Sequence, residues 1–361
     1  MGCGALEQKE ALKTFGLQKV HIIIEPEHLG ELNSTVWNKR PVPAQVIVND
    51  KQFKAKIAYA GASTIDDYKK SIQIHFEEIA LWGHSQLRLS AQSQDPTLLR
   101  SLLGFELFAS MGLLTPKIEP TALHMNHEYA GLYQLIEPVN MDFFQVRHIP
   151  IASLYKSSNV SDFSSGGLTH RRSQFKNKSE NKNDADLRRF IEYLNQEDRP
   201  DRLGEFVDFD NYQRYLVAAI LLDHFDGFTK NFFIYRAQKS NQFYWVPWDL
   251  DRLYEDHLYL QDRSIWGRET VLSKNFFKTP SHRQNHLRLM QDGLNTWFHE
   301  GKIWDRLSEL ETKITQAYHA DPLLSRNGRT LPKELDKLER NIDRWLSSLS
   351  EEIEKSAVDI P

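Results

Sequence analysis

The hydrophobic period of this chain changes along its length, and that change restricts the folds open to it. Up to about residue 150 apolar residues mostly recur at every second position, as half-buried strands require. Beyond residue 185 they mostly recur every three or four positions, as helices require. "AQVIVNDKQFKAKIAYAG" holds two alternating runs around Asn49-Asp50, a pair suited to a tight hairpin turn. "KVHIIIEP" and "YKKSIQIHFEEI" read as strands, the second with Ile72, Ile74 and Phe76 on one face. "TALHMNHEYAGLYQLIEPV" reads as another hairpin, turning at Asn126-His127. One helix interrupts this region: "DPTLLRSLLGFELFASMGL" spaces Leu98, Leu99, Leu102, Leu103 and Leu107 helically, opens on Asp95-Pro96 and stops near Gly112.

Residues 157–185 are rich in Ser, Asn, Lys and Gly and offer little to bury, which reads as a mobile polar loop. Its Arg171, Arg172, Lys176 and Lys178 would suit an acidic partner, against the plainer reading of a solvated loop. Beyond it, "DLRRFIEYLNQ" and "DFDNYQRYLVAAILLDHF" are helical, the latter capped by Asp208 or Asp210. "NFFIYR" and "QFYWVPW" flank "AQKSN" as a hairpin. Two amphipathic helices close the chain, the last with Leu335, Leu338, Ile342, Trp345 and Leu349 as one core-facing stripe. This order implies a bilobal α+β protein: a strand-rich lobe with one long helix over 1–150, a polar connection over 151–185, and a mainly helical lobe over 186–361.

Bulk properties narrow the function. With 361 residues a substantial core is affordable, and a net charge of −4 provides no basic field for nucleic acid or anionic lipid. A single cysteine, Cys3, excludes a disulfide framework within the chain and any multi-cysteine zinc site. No apolar run approaches the ~20 residues that span a bilayer. The N-terminus lacks the apolar core of a secretory signal. Gly2 stands where a myristoyl group would attach, but Leu6 replaces the preferred Ser or Thr, so acylation at Gly2 or Cys3 is the weaker reading.

The chemistry-bearing stretch is "HFDGFTKN", residues 224–231, followed by "WVPWDLD". Asp226 and Asn231 fit D-x-x-x-x-N at a helix end, the spacing of a kinase catalytic loop, where Asp takes the proton of the attacking hydroxyl and Asn holds magnesium. Asp249, with Asp251 two residues on, stands where a strand stops and would complete a set of hard oxygen ligands. Spacing alone leaves this balanced against a chance match, or a helix-capping role for Asp249 and Asp251. His282 and His286 have the i, i+4 spacing of a zinc pair but lack the Glu of H-E-x-x-H, and read as a solvated helix face. No G-x-S-x-G elbow, Walker A or G-x-G-x-x-G motif occurs.

The wider sequence resembles the CotH kinase family of atypical, spore coat protein H-like kinases. "AYAGASTIDDYKKSIQIHF" is similar to that family's R-G-x-S-S…K-K-S-Y strand pair, and "NHEYAGLYQLIEPVN" to its N-G-x-Y-x-G-x-Y-x-L-x-E motif. "RLSAQSQDPTLLRSLLGFELFASMGLLTPK" looks like its D…L-R helix and G-L-x-x-P turn, and "SLYK" like its L-Y-K. "LLDHFDGFTKNFFIYR" and "FYWVPWDLD" resemble its D-x-x-x-x-N-x-x-x-Y and P-W-D-x-D pair. The likeness runs in order from about residue 20 to about residue 320.

The resemblance implies a bilobal atypical protein-kinase-like fold using ATP and Mg2+, with Mn2+ as an alternative, on Ser or Thr of a protein. It makes Asp226 catalytic, Asn231 and Asp249 metal ligands, and Asp251 a second carboxylate nearby. Lys69, or Lys70 by strand alternation, would reach the phosphates. Glu137 would pair with that Lys or meet the nucleotide, and Gly61 and Ser63 would form a tight turn near the phosphates. Lys156 would stand at the cleft edge, and Phe243 or Tyr244 would stack on adenine unless buried in the hairpin core. Implied partners are coat or other structural or secreted proteins, without nucleic acid or a membrane span, in the cytoplasm or on the spore coat. Two departures bear on this. Ala60 replaces the family's Arg, which would hold phosphate bidentately, and "RLYED" follows the W-D-x-D stretch in place of a small residue and Gly. The rivals are a pseudokinase scaffold, or an enzyme of the same fold moving another group or using a non-protein acceptor.

Overall fold

A computed structural model describes residues 12–34, 36–158, 160–166, 174–196, 201–255, 264–324 and 329–358. Gly2, Cys3, Arg171 and Arg172, weighed above, lie outside the described residues. The chain divides into two compact units, and the mixture of strands and helices expected from the sequence is present. One unit comprises residues 1–93, 119–136 and 311–330; the other comprises 94–118, 137–310 and 331–361.

The first unit is a closed seven-stranded barrel. Its strands are β1 (Gln18–Ile23), β2 (Val42–Val48), β3 (Lys51–Ala60), β4 (Ser71–Phe76), β5 (Gln86–Ser90), β6 (Ile118–Met125) and β7 (Glu128–Ile136), in the order β1-β2-β3-β4-β5-β7-β6. Both sequence-read hairpins are present, and their turn pairs adopt the positive φ that such turns demand: 50° and 59° at Asn49 and Asp50, 47° and 72° at Asn126 and His127. Closure comes from parallel pairing of β1 with β6, Val20 opposite Leu123, which no local pattern announces. Alternate residues Val20, Ile22, Val46, Ile57, Ile72, Ile74, Leu87 and Leu135 fill the interior.

The second unit holds a four-stranded sheet, β8 (Ile151–Ser157), β9 (Phe175–Asn177), β10 (Phe232–Ala237) and β11 (Phe243–Pro247), in the order β11-β10-β8-β9. Its helices include Arg100–Ser110, Ala185–Leu194, Phe209–Leu221 and Pro280–Gly293. The closing stripe Leu335, Leu338, Ile342, Trp345 and Leu349 is buried, as its spacing implies.

Three local expectations are corrected. The first long helix begins at Arg100 rather than at Asp95-Pro96: Asp95 accepts from the amides of Thr97 (3.0 Å) and Arg100 (2.8 Å), closing a turn ahead of the helix. The described part of 157–185 is not a bare polar loop, because it contains β9 and buries Phe163 and Phe175. Phe163 packs on Phe175, Phe190 and Trp245, which gives that segment a core of its own. Finally, His282 and His286 do not lie on a solvated face. His286 is buried with Nε2 at 2.6 Å from the Ile265 carbonyl, and His282 stacks on Phe276.

Candidate active site

The site in the second unit is built at the end of helix Phe209–Leu221, whose first turn is capped by Asp208 accepting from the Asn211 amide at 2.9 Å. The helix stops because Asp223 turns to φ 48°, and a 3-10 turn, Phe225–Phe228, follows. The Tyr215 hydroxyl holds that turn by donating to the Gly227 carbonyl at 2.8 Å. Gly227 has a specific reason to lack a side chain: a Cβ there would lie 2.1 Å from Cδ2 of His224. The turn leaves Asp226 buried, with its carboxylate on the Lys230 ammonium at 2.9 Å.

Asn231 and Asp249 are joined by the hairpin that follows. Phe232 pairs with Pro247, and the Trp248 amide donates to the Asn231 carbonyl at 3.0 Å, so Asp249 emerges one residue past Asn231's partner. Both residues are left-handed, φ 62° at Asn231 and 60° at Asp249, which is uncommon for residues other than glycine and concentrates at functional sites. Asp249 is exposed and Asn231 half-buried. Among the described residues neither side chain is engaged in a hydrogen bond or ion pair.

His224 ties the three together electrostatically. Its imidazole is buried, and burial pushes its pKa down to about 4 against the opposing pull of the Asp226 and Asp249 carboxylates and a hydrogen bond to the Asn231 backbone. One ring thus senses both carboxylates and touches the amide residue between them. Asp251 is half-buried two residues beyond Asp249 and has interactions of its own. Lys156 stands opposite Phe233 on β8, with its ammonium 5.4 Å from the Trp248 ring, at the end of the sheet from which Asp249 leaves. Phe243 is buried against Phe190 and Tyr155, and Tyr244 stacks on Tyr235.

The chemistry of Asp226, Asn231 and Asp249 fits a hard divalent cation. Two carboxylates and an amide offer oxygen only, and magnesium completes its shell with water and phosphate rather than with a full protein cage. Among the described residues no cluster of three or more His, Cys, Asp or Glu is gathered to hold a metal.

The first unit carries the residues expected at the phosphates. Gly61 has φ 131°, and a Cβ there would meet Thr64 Oγ1 at 2.6 Å, so the turn after β3 requires glycine. Ser63 is exposed on that turn. Lys70 donates to the carbonyls of Ile65 (2.9 Å) and Asp67 (3.0 Å), stitching the turn to itself. Lys69 is buried: it pairs with Asp321 at 2.8 Å, donates to the Leu132 carbonyl, and lies over the Tyr133 ring. Burial lowers its pKa, against the opposing charge and hydrogen bond of Asp321. In the second unit, Glu137 is buried, with both oxygens on the Arg147 guanidinium at 2.7 and 2.6 Å and one on the Lys117 amide.

Sequence reasoning missed Asp321, His224 and Arg147. Asp321 lies 252 positions from Lys69 and also accepts from the Leu132, Leu323 and Leu324 amides. Its only trace in the sequence is Gly131, where a Cβ would sit 2.4 Å from the Asp321 carboxylate. His224 was visible beside Asp226 but carries no spacing rule. The Asp226–Lys230 pair, four residues apart, was not read from the sequence either.

The chain is similar to known proteins over most of its length. The family description "CotH kinase protein" matches residues 57–355, which span the turn at Gly61, Lys69, Asp226, Asn231 and Asp249. The chain is 26% identical over 314 residues to the inner spore coat protein H of Bacillus subtilis (strain 168), covering 82% of this chain and 84% of that protein.

Proposed function

We propose, for a chain that belongs to the CotH kinase family, ATP- and Mg2+-dependent transfer of the γ-phosphoryl group to a Ser or Thr hydroxyl of a protein. The observation that carries this reading is the juxtaposition of Asn231 and Asp249 across the β10–β11 ladder, both open, with Asp226 held at the neighbouring turn. In this reading the two units correspond to the lobes of an atypical-kinase-like fold. Asp226 accepts the proton of the acceptor hydroxyl as its oxygen bonds to phosphorus and the bond from phosphorus to the departing ADP oxygen breaks. Asn231 and Asp249 hold magnesium, with Asp251 as a neighbouring carboxylate, and the metal supplies charge neutralisation on the phosphates. Lys230 shields the Asp226 carboxylate until an acceptor arrives. Gly61 and Ser63 serve the phosphates, Lys69 and Lys70 join them on release from Asp321 and from the carbonyls of Ile65 and Asp67, and Glu137 and Lys156 are further nucleotide-side candidates. The acceptor is a coat or other structural protein, by analogy with the relative's name.

A second reading, a nucleotide-binding scaffold without turnover, draws on two observations. Ala60 at the end of β3 offers no guanidinium, and Lys69 is sealed against Asp321. Thermal shift with ATP and Mg2+, followed by label incorporation from γ-labelled ATP, separates the two. Kinase activity gives incorporation that Asp249→Ala abolishes. Stabilisation by ATP without incorporation by the wild type overturns the first reading in favour of the second.

A further inference from the structure

The second unit buries a cation that its surroundings barely answer. Arg100, the first residue of helix Arg100–Ser110, is only 5% exposed. Among the described residues its one ion pair is with Asp95 at 3.6 Å, beyond hydrogen-bond reach. The Asp95 carboxylate is already taken up by the Thr97 amide and hydroxyl at 3.0 and 2.6 Å and by the Arg100 amide at 2.8 Å. A guanidinium carries five N–H groups, and burying them unanswered is costly. Enclosure without a partner is confined to Nε, which leaves the two Nη groups at the small surface the residue still exposes.

The helix face that carries Arg100 runs along the candidate site. Positions 100, 104 and 108 fall on one face, each a little over a turn from the next. Phe108 packs on the ring of Tyr215 at 5.4 Å and on that of His224 at 6.5 Å. Tyr215 is the residue whose hydroxyl holds the turn bearing Asp226. Gly104 lies against the stretch that follows Asp249, where a Cβ would come within 2.8 Å of a Leu250 methyl and 2.6 Å of a Leu253 methyl. Arg100 stands about 6 Å further along the same face. The close approach that Gly104 permits therefore brings this arginine up to the segment that carries Asp249 and Asp251.

We propose that the Nη fork of Arg100 holds a phosphate group of the magnesium-bound nucleotide beside Asp249, an inference that rests on the function proposed above. Phosphate oxygens answer the donors that the fold leaves idle, in the bidentate geometry a guanidinium favours and Ala60 cannot offer. The magnesium that arrives with the phosphate neutralises the Asp249 carboxylate, which would repel a bare anion. Asp95 stays on its amides and hydroxyl and fixes the base of the Arg100 side chain through the Arg100 amide.

The test uses the full-length protein with inorganic pyrophosphate and Mg2+ as probe, titrated calorimetrically, because this binding needs no turnover. The expected result is saturable one-site binding that weakens on the order of ten- to hundredfold in Arg100→Gln, the range of a hydrogen bond to a charged group. Arg100→Lys, which keeps the charge and loses the fork, falls between the two. Should Arg100→Gln not fold, Arg100→Lys carries the test, and wild-type affinity in it overturns the proposal. Absence of saturable binding by the wild type overturns it as well. So does a lower melting temperature in Arg100→Gln together with unchanged affinity, which makes Arg100 a structural partner of Asp95. Phosphate transfer from ATP by a protein whose probe binding ignores Arg100 overturns this inference alone. Arg100-dependent binding without any transfer supports it and overturns only the catalytic reading.

Discussion

Replacing Asp321 by Asn isolates the buried ion pair of the barrel unit. In the wild type the Asp321 carboxylate pairs with Lys69 at 2.8 Å and accepts three backbone amides, with its side chain fully buried and that of Lys69 only 6% exposed. Asparagine keeps the shape and one acceptor oxygen but removes the charge, and turns a –NH2 group toward amides or the ammonium. Lys69 is then left as an uncompensated buried cation, over the Tyr133 ring and against one carbonyl. Breaking such a pair costs about 3–5 kcal/mol, whereas replacing both partners with apolar residues of similar volume is often close to neutral. Urea unfolding should therefore place Asp321→Asn at least about 3 kcal/mol below the wild type. Lys69→Met combined with Asp321→Leu should recover part of that loss, short of the amide acceptance that leucine cannot supply. A single variant within about 1 kcal/mol of the wild type would refute the reasoning, since a screened surface pair has that value. A double variant less stable than Asp321→Asn would show that the amides, not the charge pair, hold the site.

Other expectations follow from the same geometry. Gly227→Ala forces a Cβ into the His224 ring, and overpacking of this kind costs about 1–3 kcal/mol, so its melting temperature should fall; an unchanged melt would place the ring elsewhere. His286 has its pKa pushed down to about 4 by burial, so between pH 6.5 and 4 the unfolded chain takes up a proton that the folded chain refuses. Its contribution is intact above pH 6.5 and is lost as acidity increases, about 2 kcal/mol by pH 5. His286→Gln should accordingly lose less stability than the wild type between pH 7 and pH 5 in denaturant titrations, and parallel pH profiles would contradict the assignment. Asn231→Ala should raise the Mg2+ concentration needed for half-maximal phosphate transfer, and an unchanged requirement would remove Asn231 from the metal site.

Much of the barrel was legible because its signals are local. Asn49-Asp50 and Asn126-His127 adopt left-handed backbone cheaply, and alternation along β3 and β4 fixes which residues face inward. Closure was not legible, because Val20 and Leu123 meet across a hundred intervening residues with no shared local pattern. The same holds for Lys69 and Asp321: a carboxylate at the end of a surface-patterned helix gives no sign that it will be buried. Composition misled over 157–185, where two phenylalanines among many polar residues suffice to order β9. At the candidate site, spacing alone left Asp226, Asn231 and Asp249 balanced against a chance match, and it was the family resemblance that singled them out. His224 escaped, since the turn buries it within the electrostatic reach of Asp226 and Asp249, and a lone histidine has no spacing to read.

The most direct test is the rate of phosphate transfer from γ-labelled ATP with saturating Mg2+, wild type against Asp226→Ala. Loss of the proton acceptor should slow transfer by about 10²- to 10⁴-fold while ATP still stabilises the fold. Equal rates in the two proteins would contradict the assignment of Asp226 and, with it, the catalytic reading of the whole turn and hairpin.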